Sequence, residues 1–532
     1  MQSPLHYTQN NNGRKAFLPV KMVILIISIS LIMPTGVLAK LNDSEKDRII
    51  QDFDGFAGKV FNESGVPGMS IAITDRNKTL YSKAFGVCSL DSSDPVTLET
   101  TFMIGSITKA FTATILGSMV DEGRISWNDT VLSVLPCFAL KDSNATTNMT
   151  IGELLTHNSG LWPYDGDLLV FEGVEPSEVI SRIGYLEMQR PFRSGFGYNN
   201  LHYFVASEVI NISTGEPWSE NLRTRIFTPL GMDNTSTGFS FLNKDDDKGC
   251  NYASHHALTP NGYTPMVMDE DHIFTDNYPG AGGIRSNIND MAKWLRFWLN
   301  AGEIDGRLIL KPETVQDIIR PANIEYEDSY GNSSYAHGWV VKGDLGLSHS
   351  IIWHNGGNQG IHAYNGFIPE EGIGIVILTN AGDTGVPEIL GDGFLFQYCQ
   401  KPTENFNYLN FTAMREFVKP QYPESLYPQP EDNFSIDLDN LSGTYQNSYY
   451  GEMKIYEESG DLYAELGQRP VRMRLTPVNE TSYLFSLLPL NIGVPNPDGM
   501  FSFDVDPGGQ ASKITVLGLT MPEEPPYSFT RI

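Results

Sequence analysis

The chain has 532 residues, a formal net charge of −28 at pH 7, and 40% hydrophobic and 19% charged residues. This composition is that of a globular protein and excludes a disordered chain, while the length exceeds what one hydrophobic core usually holds. A surface so acidic repels nucleic acid and anionic membranes, which excludes nucleic-acid binding, and it attracts cations and basic partners.

The first 39 residues are predicted to be a secretory signal peptide. Basic residues precede an apolar run from Met22 to Met33, which is shorter than the roughly 20 residues that span a membrane. Small residues up to Ala39 fit a cleavage site after that residue. An uncleaved signal anchor is the alternative, because the leader before the apolar run is long. We expect a secreted, extracellular protein.

Sequons for N-glycosylation are far more frequent than chance predicts, which is typical of a secreted eukaryotic glycoprotein. Each sequon also predicts a surface position. They stand at Asn42, Asn62, Asn77, Asn128, Asn144, Asn148, Asn211, Asn234, Asn332, Asn410, Asn433, Asn440 and Asn479.

The four cysteines are Cys88, Cys137, Cys250 and Cys399. In an oxidising compartment they can form two disulfides in any of three connectivities, with free thiols as the alternative. None of them has metal-ligand spacing. The acidic run over residues 243–248 lacks the Gly and the distal Glu of an EF-hand loop and is interpreted as a solvated loop. No metal site is predicted.

The first predicted elements after the leader are a helix over residues 43–64 and two strands, Met69 to Thr74 and Thr79 to Ala84, joined by a polar turn. A helix that begins at Ser106 has apolar residues at near 3.6 spacing and Gly123 at its C-terminal cap position. Helices and loops then continue to about residue 330.

Strand signals return over residues 336–342, 349–354, 361–368 and 373–380. Strands at both ends of the region, with helices between them, predict one antiparallel sheet flanked by helices, which is an α+β fold. We assign this domain to residues 40–399.

The last part of the chain has a different composition. Residues 400–435 are rich in Pro, Asn and acidic residues and are predicted to be a linker. Short strand-like runs separated by Gly, Pro, Asn and Asp follow over residues 436–532 and predict a small all-β barrel or sandwich.

Ser106 and Lys109 lie three residues apart on the predicted helix and therefore on the same face. This spacing lets the Lys109 amine take the proton of the Ser106 hydroxyl and make it a nucleophile. Alone, the pattern occurs by chance about once or twice in a chain of this length.

Further segments accompany this pair in a fixed order. Tyr198-Asn199-Asn200 follows in the helical region, and His354-Asn355-Gly356-Gly357 ends a predicted strand. Residues 154–161 and 279–286 complete the set. Over about residues 45 to 395 the chain resembles the serine β-lactamase-related family of class C β-lactamases, D-alanyl-D-alanine carboxypeptidases, D-aminopeptidases and esterases. The C-terminal region resembles, more weakly, the lipocalin-like domain that some members carry.

The resemblance implies five catalytic residues, which are Ser106, Lys109, Tyr198, Asn200 and His354. Ser106 attacks a carbonyl and forms an acyl-enzyme that water hydrolyses. Lys109 and Tyr198 are the two candidate bases, and the family leaves open how they share the proton. Asn200 holds Lys109 and the substrate amide. No cofactor is implied.

The resemblance also assigns the oxyanion hole to the main-chain N–H groups of Ser106 and Gly357, with Gly356 and Gly357 allowing close approach of the strand. Many members have Lys-Thr-Gly where this chain has His354-Asn355-Gly356, so a group near neutral at pH 7 replaces a permanent cation. We therefore predict a small ester or a peptide-like amide as substrate, rather than a β-lactam. His157 is interpreted as structural.

A second hypothesis belongs to another functional class. The acidity and the sequons also suit an extracellular matrix glycoprotein, and the chain resembles the β-lactamase-like shell-matrix proteins of molluscs. In that case a calcium mineral or an extracellular matrix would be the partner. The sequence predicts no oligomeric state.

Overall fold

A computed structural model describes residues 41–241, 252–269, 277–328, 331–343, 349–382, 384–399, 410–419, 438–467, 471–485, 499–519 and 524–532. The predicted signal peptide and the acidic run over residues 243–248 lie outside these ranges. Among the described residues, no helix combines the length and the apolar composition that crossing a membrane requires.

The first helix, α1 (Asp43–Ser64), begins with a capping box between Asn42 and Glu45. The predicted hairpin follows as β1 (Gly68–Asp75) and β2 (Thr79–Gly86). After β3 (Phe102–Met103), one 3₁₀ turn over Gly105–Ile107 leads into helix α2 (Thr108–Asp121), most of which is buried.

The region up to residue 241 is mainly helical. Its helices are α3 (Val131–Val134), α4 (Ser143–Asn148), α5 (Ile151–Leu155), α6 (Asp167–Phe171), α7 (Pro176–Arg182), α8 (Asn200–Thr214), α9 (Trp218–Leu222) and α10 (Thr228–Leu230), with 3₁₀ turns over Ile183–Tyr185 and Gly238–Phe241, a π-helix over Arg223–Phe227 and a short strand β4 (Ser236–Thr237).

Short strands and two more helices lead to the main sheet. They are β5 (His256–Thr259), β6 (Gly262–Pro265), β7 (Ile284–Ser286), α11 (Ile288–Leu299), β8 (Glu303–Ile304), β9 (Arg307–Leu308) and α12 (Pro312–Ile318).

The main sheet has eight strands, which are antiparallel, in the order β10-β11-β12-β13-β14-β15-β1-β2. Strand β1 pairs with β15, from Met69 opposite Thr379 to Asp75 opposite Ile373. The first and last strands of the domain are therefore neighbours in one sheet, and the α+β prediction is confirmed. The later strands are β10 (Asn323–Asp328), β11 (Gly331–Tyr335), β12 (Val340–Lys342), β13 (Ile351–Asn358), β14 (Ile361–Ile368) and β15 (Ile373–Thr379).

One predicted strand, over residues 336–342, is wrong in its first half. Residues 336–339 form a turn between β11 and β12, in which Ala336 accepts the Gly338 N–H. Gly338 has a φ of 77°, and a Cβ on it would lie 2.7 Å from the backbone of Lys109 and Ala110. The turn thus packs tightly against the start of α2, where only glycine fits.

The two faces of the sheet are covered by different helices. On β15, Ile375 and Ile377 belong to the apolar cluster that contains α1 and α13 (Val386–Cys399), whereas Val376 and Leu378 belong to the cluster with α2 and α11. This alternation places the Ser106 turn and the helical region on one face, and α1 and α13 on the other.

Two short helices lie between the main domain and the last strands, α14 (Phe411–Val418) and α15 (Leu438–Leu441). Helix α14 falls within the region predicted as a linker. Its Val418 is buried, and its Arg415 pairs with Glu63 of α1. Part of the predicted linker is thus ordered against the main domain.

The last part of the chain forms a closed barrel of eight strands, as the all-β prediction for residues 436–532 expects. Strand β23 pairs with β16 and closes the barrel. The interior holds buried apolar side chains such as Met453, Leu462 and Phe501. The strands are β16 (Gly443–Asn447), β17 (Gly451–Glu458), β18 (Asp461–Leu466), β19 (Val471–Pro477), β20 (Ser482–Phe485), β21 (Gly499–Val505), β22 (Ala511–Leu517) and β23 (Tyr527–Arg531).

The cysteines do not form two disulfides. Cys88 is disulfide-bonded, whereas Cys137 and Cys399 are free thiols. Cys399 ends α13 on one face of the sheet, while Cys137 lies beside Leu135 and Phe138 of the cluster on the other face. Cys250 lies outside the described residues.

None of the sequon asparagines with a described side chain is buried. Asn42, Asn62, Asn77, Asn128, Asn144, Asn148, Asn234 and Asn410 are exposed, and Asn211, Asn440 and Asn479 are half-buried. The side chain of Asn332 and the whole of Asn433 lie outside the described part of the chain. Glycosylation itself stays a prediction.

Candidate active site

The centre of the site is the turn that carries Ser106. Ser106 lies in the 3₁₀ turn rather than in the helix itself, and it is half-buried where its neighbours are fully buried. Lys109 lies in the first turn of α2 with no exposed surface, and its Nζ is 3.0 Å from Oγ of Ser106. The predicted spacing therefore does bring the two groups into contact.

Two acceptors hold the Lys109 amine from the other side. Nζ donates to Oδ1 of Asn200 at 2.7 Å and to the carbonyl oxygen of Ala281 at 3.0 Å. Burial lowers the pKa of Lys109 to about 7, while the charge of Asp167 acts in the opposite direction. A neutral amine has two N–H groups and one lone pair, so these two acceptors leave the lone pair facing Ser106.

Tyr198 completes the surroundings of the hydroxyl. It is hydrogen-bonded to Ser106, and Nζ of Lys109 lies 4.8 Å from the centre of its ring. Burial raises the pKa of Tyr198 well above its ordinary value, although the hydrogen bond with Ser106 acts in the other direction. The phenol is therefore neutral and is available as a proton donor.

Asn200 connects Lys109 to a buried carboxylate, Asp167. The Asn200 amide nitrogen donates to Oδ2 of Asp167 at 2.6 Å, and the Tyr278 hydroxyl donates to Oδ1 at 2.9 Å. Only 2% of Asp167 is exposed. Burial raises the pKa of Asp167 to about 7, against the effects of both hydrogen bonds and of the Lys109 charge.

Strand β13 lies directly against the Ser106 turn. A Cβ on Gly356 would lie 1.9 Å from the carbonyl oxygen of Ile104, and a Cβ on Gly105 would lie 3.0 Å from the Gly357 nitrogen. Glycines therefore permit this backbone contact on both sides. Gly357 is exposed, next to the half-buried Ser106, which is where the sequence prediction puts the two oxyanion donors.

His354 lies on the same strand but is almost fully buried. Its Nδ1 lies 2.5 Å from the carbonyl oxygen of Asn355 and its Nε2 lies 2.8 Å from the Tyr335 hydroxyl. A carbonyl can only accept, so Nδ1 carries the proton and Nε2 accepts from Tyr335. Burial and the nearby Lys109 charge lower the pKa of His354 to about 3. The ring is neutral, and both of its nitrogens are used within the protein.

His157 supports the backbone behind Tyr198. It is fully buried, has a φ of 56°, and accepts the Asn199 N–H on Nδ1, while its carbonyl oxygen accepts the Gly197 N–H. The His202 Nδ1 lies 3.0 Å away. These contacts agree with the interpretation of His157 as a structural residue.

Sequence analysis missed two members of this group, Asp167 and Tyr278. Asp167 belongs to none of the segments that carry the family resemblance. The available signal was a carboxylate between Gly166 and the apolar run Leu168 to Phe171, where an unpaired charge is unexpected. Ala281, in contrast, lies in the predicted 279–286 segment, but its contact is made by a backbone oxygen that sequence does not single out.

The arrangement supports acyl transfer. It offers a hydroxyl with a base, a neutral phenol that can donate a proton, and a backbone contact suited to an oxyanion. Within the described ranges, no group of three or more His, Cys, Asp or Glu side chains is placed to hold a metal ion.

Comparison with known proteins agrees with this geometry. A family model for beta-lactamases matches residues 47–399. The chain is 27% identical over 511 residues to the unguisins hydrolase of Aspergillus campestris, covering 90% of this chain and 91% of that protein. It is 25% identical over 390 residues to penicillin-binding protein 4 of Amycolatopsis lactamdurans, covering 72% of this chain and 94% of that protein.

A solved structure shares the fold over most of the chain. The octameric penicillin-binding protein homologue from Pyrococcus abyssi aligns with a TM-score of 0.58 at 20% identity, covering 91% of this chain and 100% of that one. Coverage of this extent includes residues beyond 399, so the likeness continues into the C-terminal barrel.

Proposed function

The chain belongs to the beta-lactamase family, and on that premise we propose that it is a serine hydrolase that cleaves a small ester or peptide-like amide through an acyl-enzyme on Ser106. The observation that carries the proposal is the environment of Lys109. Its amine is buried, has a pKa lowered to about 7 by that burial, and lies 3.0 Å from Oγ of Ser106.

Lys109 is the base in the proposed mechanism. Its lone pair takes the Ser106 proton as Oγ bonds to the substrate carbonyl carbon, and the carbonyl π electrons move onto oxygen. The N–H groups of Ser106 and Gly357 stabilise that oxyanion. Tyr198 suits the role of base less well, because burial raises its pKa and disfavours the phenolate.

The tetrahedral intermediate then collapses. The carbon–oxygen or carbon–nitrogen bond to the leaving group breaks, and the leaving group takes a proton from Tyr198, which Lys109 reprotonates. Water attacks the acyl-enzyme in the second half, with the same amine as base, and releases the acid and free Ser106. Lys109 thus takes up one proton and gives it back within each half of the reaction.

The substrate proposal follows from His354. Because this buried imidazole is neutral and both of its nitrogens are hydrogen-bonded, it provides no cation for a substrate carboxylate. A neutral ester or amide suits the site better than a β-lactam, whose carboxylate would require one. Similarity to an unguisins hydrolase over nearly the whole chain also favours hydrolysis.

A fluorophosphonate probe tests the proposal. It should label the wild-type protein, and Ser106→Ala should lose labelling and ester turnover by about a thousandfold or more. Ser181→Ala, which changes an exposed serine on α7, is the matched control and should retain both. Equal labelling of wild type and Ser106→Ala would refute the acyl-enzyme.

We also propose that the protein is secreted and glycosylated, which the predicted signal peptide and the surface sequons support. Culture medium should contain a protein whose mass falls after treatment with an N-glycosidase. A protein found only inside the cell, with no such change in mass, would contradict the proposal.

A role in an extracellular or mineral matrix is the second candidate function. The net charge of −28 favours it, because such a surface attracts Ca²⁺. Mass spectrometry of washed matrix from the source tissue provides the test, and the consistent absence of the protein there would exclude this function.

A further inference from the structure

One segment of the main domain lies between the active site and the barrel. We call residues 162–172 the bridging segment. On the side of the active site, the Tyr164 N–H donates to the carbonyl oxygen of Tyr198 at 2.9 Å. The Asn199 amide donates to the carbonyl oxygens of Trp162 and Asp165 at 3.0 and 3.1 Å. The backbone of the segment is therefore tied to Tyr198 and Asn199, the first two residues of the catalytic Tyr-x-Asn.

The barrel holds the same segment from the other side. The Tyr449 hydroxyl donates to the carbonyl oxygen of Gly166 at 2.8 Å, and the Tyr527 hydroxyl donates to the Asp165 carboxylate. A Cβ on Gly166, which has a φ of 87°, would lie 2.7 Å from the Tyr449 hydroxyl. The two residues before Asp167 are thus fixed by tyrosines of another domain.

Asp167 decides which way the Asn200 amide points. Oδ1 of Asp167 accepts from the Tyr278 hydroxyl and Oδ2 accepts from the Asn200 nitrogen, so the Asn200 oxygen faces Lys109. If the amide turned over, it would present N–H groups to Lys109 and compete with Ser106 for the lone pair of the amine. The observed orientation leaves that lone pair for Ser106.

We propose that the C-terminal barrel is part of the active-site machinery: by holding Asp165 and Gly166 it positions Asp167, and Asp167 orients Asn200 so that Lys109 can act as the base. Asp167 is a positioning residue in this scheme, since its contact with Lys109 runs through Asn200. The inference rests on the proposed function, because it assigns a role in the reaction of Ser106.

The charge of Asp167 provides a readout that packing alone would not change. It raises the pKa of Lys109, in opposition to burial, so removing it should make the amine neutral at lower pH. Three neighbouring histidines are buried with lowered pKa and stay neutral over the same range, whereas burial raises the pKa of Asp165 to about 7, so Asp165 titrates within that range. The groups that face the pair are Tyr198, Tyr203, Tyr278, Asp165, His157, His202 and His354.

Two substitutions of Asp167 separate charge from orientation. In Asp167→Asn the new amide oxygen can still accept from Asn200, so the rate of fluorophosphonate labelling should fall less than tenfold while the acid limb of its pH profile moves to lower pH. In Asp167→Ala the orienting acceptor is lost as well, and the rate should fall by about a hundredfold. An unchanged acid limb in both variants would overturn the role of Asp167.

Phenylalanine substitutions test the role of the barrel. Tyr449→Phe with Tyr527→Phe should lower the labelling rate by about tenfold and move the acid limb in the same direction as Asp167→Asn, because Asp167 is held less firmly. Tyr483→Phe is the control, since this buried barrel hydroxyl has no hydrogen-bond partner within the described residues. It should leave rate and pH profile unchanged. If the double variant does not fold, Tyr449→Phe alone provides the same test.

The results distinguish this inference from the proposed function. The inference would be overturned if Ser106 of the wild type were labelled and the folded double variant showed the same labelling rate and the same acid limb. The serine hydrolase proposal would then remain intact. Complete absence of Ser106 labelling in the wild type would overturn both. We expect the double variant to be labelled more slowly and to have a shifted acid limb. We expect neither change in Tyr483→Phe.

Discussion

Two regions meet at Lys109, and they are built on different principles. On one side, β13 and the Ser106 turn touch through backbone alone, because Gly105 and Gly356 leave no side chain between them. On the other side, the bridging segment carries buried carboxylates, of which Asp165 accepts from Tyr527 of the barrel and Asp167 accepts from Asn200 and Tyr278. The first region is held by steric fit, which is insensitive to pH, and the second by electrostatic pairing, which is sensitive to it.

The bridging segment ends in a buried carboxylate, Glu172, that lies against the barrel. Glu172 is 4% exposed and its carboxylate oxygens have no hydrogen-bond partner within the described residues. Gly467 of the barrel lies so close that a Cβ there would be 1.8 Å from a Glu172 oxygen. Burial raises the pKa of Glu172 to about 8, although the charge of Arg182 acts against it. The contact with the barrel thus favours a protonated Glu172.

Glu172→Gln should produce the largest change of the predictions made for these two regions. The folded chain keeps a proton up to about pH 8 that the unfolded chain releases near 4.5, so the wild type loses stability as pH rises between those values. The amide has no proton to lose. The free energy of unfolding of the variant, relative to wild type, should therefore increase by on the order of 4 kcal/mol from pH 4.5 to pH 8.

Urea denaturation at several pH values measures this difference. Glu480→Gln, at an exposed site in the barrel, is the control and should follow the wild type at each pH. Parallel pH profiles of stability for Glu172→Gln and wild type would mean that Glu172 is ionised in the folded chain and that the two regions do not differ in the way described.

Gly356→Ala tests the other region, the backbone contact between β13 and the Ser106 turn. The added methyl group would lie 1.9 Å from the carbonyl oxygen of Ile104, so β13 must move away from the Ser106 turn and withdraw the Gly357 N–H from the oxyanion. Loss of one oxyanion donor costs between about 10²- and 10³-fold in kcat, or about 2.7 to 4 kcal/mol. Steady-state ester hydrolysis measures the loss, which should be the same at every pH.

Gly58→Ala is the matched control for this substitution. Gly58 lies in α1, and no atom lies within 4 Å of the place where its Cβ would be. This variant should keep wild-type kcat. If Gly356→Ala also kept it, the backbone contact between β13 and the Ser106 turn would not form the oxyanion hole.

The contrast between the regions also explains what the sequence could predict. The Ser106 turn, α2 and β13 are each local, so their apolar periodicity indicated the elements, and the motifs that they carry indicated the chemistry through the family resemblance. The sheet could be predicted because β1 and β15 are apolar runs at the two ends of one domain. The turn over residues 336–339 was missed because its apolar residues resemble a strand, while its geometry is set by contact with α2.

The role of Asp167 could not be predicted, because it depends on contacts between residues far apart in the sequence. Asn200 lies 33 positions from Asp167, and Tyr527 lies 362 positions from Asp165. No local pattern encodes such pairs, and burial of a carboxylate is the opposite of what composition rules expect.

The pH dependence of acylation connects the two regions. Its change in labelling rate per pH unit is the smallest effect predicted for them. Below about pH 7, the value to which burial lowers the pKa of Lys109, the amine is protonated and has no lone pair for Ser106. The labelling rate of the wild type should therefore rise about tenfold per pH unit below 7 and level off above it.

Substitutions distinguish whether Lys109 or a histidine produces this acid limb, because the ordinary pKa of a histidine is close to 7 as well. His354 and His202 are buried and have pKa values lowered to about 3, so His354→Gln should leave the position of the limb unchanged even where it changes the rate. Lys109→Arg keeps a permanent charge and should remove both the rate and its pH dependence. A limb that moved in His354→Gln but not in Asp167→Asn would assign the titrating group to the histidine, and it would break the link between the bridging segment and the nucleophile.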